Sequence, residues 1–109
     1  MINQTDKELI ERLIKGTEMK KVVWEQSSRN SEYKTTLGDN SITTDNWNEG
    51  IMTFVDFSIW NNKGEQVYSV AARKGQDDYK ELYNLYSAAK SAYLKVDEVV
   101  DDILKHLDF

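Results

Sequence analysis

From Tyr79 to Leu107 the apolar residues Tyr79, Leu82, Tyr86, Ala89, Tyr93, Val96, Val100, Ile103 and Leu107 follow one another at spacings of 3, 4, 3, 4, 3, 4, 3 and 4. Such a run keeps one stripe on one face of a helix for about eight turns. Leu85, Ala88 and Ala92 widen the stripe on one flank, and Tyr83 and Val99 lie on the other. Gly75-Gln76-Asp77-Asp78 precedes it, with Asp77 or Asp78 placed to cap the helix. A second segment can start at Lys95-Val96-Asp97, with Asp97 as its cap.

The stripe has two readings. As a coiled-coil seam it would hold two chains together, and as a core stripe it would pack on a sheet. Three tyrosines and an alanine suit sheet packing better than a zipper. The length still matters, because at 1.5 Å per residue the helix reaches roughly 45 Å. A ten-residue strand reaches only about 33 Å. Its end should therefore overhang, leaving Val100, Ile103, Leu104, Leu107 and Phe109 in need of cover from an N-terminal helix or a second chain.

The sheet is read from a change of period. Ile51, Thr53, Val55, Phe57 and Ile59 alternate with Met52, Phe54, Asp56, Ser58 and Trp60. That is the strongest strand, and the first set is the expected core face because the second carries Asp56 and Ser58. Asn61-Asn62-Lys63-Gly64 closes a hairpin into residues 65–73, where Tyr68, Val70 and Ala72 share a side. Tyr33, Thr35 and Leu37 alternate with Glu32, Lys34 and Thr36 before a Gly38-Asp39-Asn40 turn, and Ile42-Thr43-Thr44 continues beyond it. Residues 19–24 read as a first strand or an extended lead into one, and 45–50, rich in Asp and Asn, as a loop. Ahead of the sheet, Thr5 and Glu8 form a capping box for a helix at about residues 6–15, stopped by Gly16. The expected fold is α+β: an N-terminal helix, an antiparallel meander of four to five strands and a long C-terminal helix packed on one sheet face, all in one domain, 1–109.

The sequence holds no cysteine, which removes disulfides and thiolate metal sites, and the start shows no apolar leader-like run. A cytoplasmic setting is the expectation. Net charge is −5, and it is uneven. Residues 1–75 hold 11 acids against 10 bases, and residues 76–109 hold 8 against 4. That balance argues against a phosphate-binding surface and for a basic partner, if any. The dipeptides Arg73-Lys74 and Lys20-Lys21 make no nucleic-acid patch.

Candidate sites are few. His106, the one histidine, falls in the last helical turn, where a cation suits the helix dipole, and no nucleophile motif accompanies it. Asp97, Glu98, Asp101 and Asp102 cluster on the C-terminal helix as a solvated face or a meeting place for a basic partner. Trp47, Trp60 and Tyr68 are candidate interaction aromatics, and together with Asp56 they would make a small-ligand site on the weaker sheet face. No catalytic, metal or cofactor residues are assigned, so an enzyme is the least favoured class.

Two stretches carry a resemblance: the first helix with Gly16-Thr17 up to Trp24-Glu25, and Ala92-Tyr93-Leu94-Lys95-Val96-Asp97-Glu98-Val99-Val100-Asp101-Asp102-Ile103-Leu104. With the sheet between them they resemble small uncharacterised bacterial proteins of helix–sheet–helix layout. The resemblance implies a bacterial origin and that layout, and brings neither activity nor site residues. The residues themselves point first to a non-catalytic protein-interaction module of adaptor, inhibitor or immunity type, monomeric or homodimeric, without direct nucleic-acid or membrane binding. A small-ligand binding module is the alternative.

Overall fold

Apolar residues at helical spacing fill one layer and apolar residues at alternate positions fill the other. A computed structural model describes residues 3–109. In chain order these form α1 (Gln4–Glu18), β1 (Glu25–Gln26), β2 (Glu32–Leu37), β3 (Asn40–Glu49), β4 (Met52–Trp60), β5 (Gln66–Arg73), α2 (Tyr79–Leu94) and α3 (Val96–His106). The strands lie in one antiparallel sheet in sequence order, as short connections require. The α+β expectation holds, with the C-terminal helix divided in two.

The core sits between one sheet face and the helices. The expected face of β4 is the correct one: Val55 and Phe57 are fully buried. They meet Leu82, Leu85, Tyr86 and Ala89 of α2, Ile10 and Leu13 of α1, and Tyr33, Ile42 and Ala72 from the other strands. Each leucine enclosed this way is worth about 2–3 kcal/mol.

The first helix is longer than its apolar pattern suggests. Asn3, rather than Thr5, is the cap, its side chain accepting from the Asp6 N–H at 2.8 Å. Gly16 does not stop the helix but lies within it, as a site of close approach. A Cβ there would stand 2.7 Å from Cγ2 of Val22. The chain turns at Lys20 in the left-handed region (φ 61°). Lys21 and Val22 then donate their N–H groups to the Gly16 carbonyl. Buried Trp24 locks this return, its indole N–H donating to Thr17 Oγ1 (2.9 Å), which itself donates to the Leu13 carbonyl (2.6 Å). Residues 19–24 are thus an extended lead, and β1 begins only at Glu25.

Residues 45–49, expected as a loop, are strand. β3 runs unbroken to Glu49, pairing Asp45 with Asp56, Asn46 with Val55, Trp47 with Phe54 and Asn48 with Thr53. The polar side chains that suggested a loop find partners across the ladder: Asn46 Nδ2 donates to the Phe54 carbonyl and Thr53 Oγ1 to Asn48 Oδ1. Gly50, at φ 62°, supplies the reversal, which leaves Ile51 in the turn, fully exposed, instead of at the start of β4.

The C-terminal helix breaks at Lys95, whose backbone is left-handed (φ 55°, ψ 47°). Lys95, not Asp97, is the cap residue of α3. The radius of gyration is 15.2 Å, against about 13 Å for a compact chain of this length. The extents of 52 × 37 × 28 Å fit a helix that projects from the body.

Candidate interaction surface

α3 is the overhang anticipated from the stripe. None of its residues is buried. At 3.6 residues per turn, Val96, Val99, Val100, Ile103, Leu104 and Leu107 occupy one arc of roughly 140°. They stand 40–58% exposed, and Phe109 beyond them is fully exposed. A surface helix ordinarily turns such an arc inward. Here α1 packs on α2 and gives α3 at most slight cover.

The rest of α3 is acidic. Asp97, Glu98, Asp101 and Asp102 are all exposed and stand on the arc's edges or opposite it. Acids in its first turn and Lys105 and His106 in its last suit the helix's own dipole. His106 Nδ1 lies 2.9 Å from the Asp102 carbonyl, within the helix. It meets no nucleophile.

At the root of α3 the stripe runs into an open groove of about 560 Å³ between the 19–24 return, the end of α2 and the first turn of α3. Val22, Val23, Trp24, Ala92, Tyr93 and Val96 give it apolar walls, and the charged residues Glu18, Lys20, Lys95, Asp97 and Glu98 also line it. Val96 belongs to both stripe and groove, so the two form one apolar surface.

The aromatic candidates are not gathered there or anywhere else. Trp47 is half-buried, stacked on Phe54 at 5.5 Å between ring centroids. Trp60, also half-buried, donates its indole N–H to Thr43 Oγ1 at 3.0 Å. Tyr68 pairs with Ile59 and lies on the core face, edge-on to Phe57 at 6.3 Å. The neighbouring Asp6 carboxylate, and burial after it, push its ionisation up to about 12. Trp47, Trp60, Tyr68 and Asp56 therefore do not line a common ligand site. A β-bulge at Ile59/Trp60 shifts the register in this region.

The helix-free face holds something the sequence reading did not assemble. Glu32, Asp45 and Asp56 form one cross-strand row on β2, β3 and β4. Arg29 stands 3.1 Å from both Glu32 Oε2 and Asp45 Oδ2, the second contact without hydrogen-bond alignment. Asp56 Oδ1 accepts from the Asp45 N–H at 3.0 Å. Burial, reinforced by the Asp45 charge, raises the Asp56 carboxyl from 3.8 to about 6. A facing pair with one raised carboxyl has the chemistry of a general acid. Asp45 is fully buried, whereas Asp56 keeps part of its surface exposed. Among the described residues no cluster of His, Cys, Asp or Glu is placed to hold a metal ion. Only strand register brings this row together, so no local pattern could have revealed it.

No helix among the described residues is long and apolar enough to cross a membrane. No family model, curated protein or solved structure matches the chain.

Proposed function

We propose that this chain is a non-catalytic protein-interaction module, of adaptor, inhibitor or immunity type, working through α3 and the groove at its root. One observation carries the reading: an eleven-residue helix exposes five aliphatic residues along one face, continued by Leu107 just past its end, and buries none. Leaving that arc in water forgoes several kcal/mol that a covering surface would recover. The partner class follows from the polar side of the helix. Amphipathic helices that lie on lipid carry lysine and arginine opposite their apolar face, whereas Asp97, Glu98, Asp101 and Asp102 stand there instead. The same acids repel nucleic-acid phosphate. A protein surface is the remaining cover. The reading keeps the bacterial cytoplasmic setting expected from the sequence.

The test compares capture by immobilised wild-type protein with capture by a Val100→Asp/Ile103→Asp double variant. Because α3 adds nothing to the core, the variant keeps its fold, checked by circular dichroism. A macromolecule, including tagged free copies of the chain, held by wild type and lost by the variant supports the reading. Identical capture by both refutes it.

A further inference from the structure

We infer, resting on that reading of α3, that its partner is a second copy of this chain. Two α3 helices pair antiparallel across a two-fold axis, each placing its Leu104–Leu107–Phe109 end in the other's groove.

The first argument is self-complementarity. A two-fold contact requires each copy to carry both halves of every match. This chain carries an apolar groove at one end of α3 and an uncovered apolar tip at the other, joined by one stripe. Eleven residues span roughly 16 Å, so antiparallel pairing sets the tip of each helix over the root of its mate. Parallel pairing would put tip on tip and leave both grooves open.

Area is the second argument. Six half-exposed aliphatic side chains and Phe109 expose roughly 600 Å², and the groove walls bring each copy towards the ~800 Å² that a standard interface takes from each partner. Charge is the third. Asp97 and Glu98 stand in the first turn of α3 and Lys105 in its last, with Asp108 just beyond it, and antiparallel packing sets opposed helix dipoles side by side.

Sedimentation equilibrium from micromolar to near-millimolar chain tests this. The expected mass climbs from 12.7 kDa towards twice that value. Val100→Asp, in the stripe, and Ala92→Arg, in the groove at an exposed position of α2, both hold the mass at the monomer. With no native cysteine, a mixture of Val96→Cys and Leu107→Cys chains should form the mixed disulfide in preference to either symmetric one. A dimer that survives Ala92→Arg or favours the symmetric disulfides overturns the antiparallel seating. A wild type that stays monomeric throughout overturns the second copy as occupant. If that monomer still binds an apolar fluorescent dye that Val100→Asp does not, α3 remains an interaction face for another protein. Equal dye binding by both removes the interaction reading as well.

Discussion

Replacing Asp56 with asparagine should make this protein more stable at neutral pH. The Asp56 carboxyl is raised from 3.8 to about 6, chiefly by burial and then by the Asp45 charge. A carboxyl raised on folding keeps its proton longer in the native state than in the unfolded chain. Between about pH 4 and pH 6 the native state therefore binds more protons, and stability falls as pH rises through that window. Above it the loss is complete. The gap between 3.8 and about 6 is worth about 3 kcal/mol unscreened, and about 1–2 kcal/mol once the solvent reaching a partly exposed side chain is allowed for. Asparagine keeps an oxygen to accept the Asp45 N–H, now 3.0 Å from Oδ1, and carries no charge. Urea unfolding followed by tryptophan fluorescence should show Asp56→Asn ahead of wild type by about 1–2 kcal/mol near pH 7.5. The two should converge near pH 4, where wild type is also neutral there. A variant equal to or weaker than wild type near pH 7.5 would mean that Arg29 already makes the ionised Asp56 welcome, and the argument would fail.

Arg29→Met leaves the fully buried Asp45 carboxylate without its cation, and should cost about 2–3 kcal/mol at neutral pH. Adding Asp45→Asn should recover most of that loss, which a double-mutant cycle in urea would measure. Gly16→Ala should destabilise by about 1 kcal/mol, because the 2.7 Å approach to Val22 outweighs the roughly 1 kcal/mol that alanine gains in a helix. Made on a Val22→Ala background, the same change should become stabilising, a reversal of sign that thermal melts resolve. Trp24→Phe removes the N–H held by Thr17 along with indole contacts and should cost about 1–3 kcal/mol in the same melts.

What could be read in advance divides by the range of the physics. β4 was legible because alternation over ten positions is a local record of which face is wet, and Val55 and Phe57 fell where that record put them. The stripe through Leu82, Tyr86 and Ala89 was legible for the same reason. The end of β3 was not, because Asp45, Asn46 and Asn48 advertise turns until Phe54, Val55 and Thr53 stand opposite them. Nor was the acidic row, whose members lie 13 and 11 residues apart and meet only through register. The overhang was legible as arithmetic, a helix longer than the sheet beneath it. The break at Lys95 was legible only as an option, a second segment that could start at Lys95-Val96-Asp97, because the 3-4 spacing continues across it while the backbone does not. Tyr68 went to the core face because its partner is Ile59 rather than Trp60.

The left-handed residue at Lys95 gives α3 a thermodynamic life of its own. An isolated helix needs about 12–15 residues before it persists in water, and α3 has eleven with little packing against the body to make up the shortfall. Its backbone amides should therefore exchange with solvent quickly in dilute solution, while those of Val55, Phe57 and Leu82 exchange only on global opening. As copies meet, the α3 amides should slow in proportion to the fraction paired and the sheet amides should scarcely change. Sequence changes in α3 would then tune the strength of association while leaving the melting of the body almost untouched, so that the chain can alter its choice of company without risking its fold.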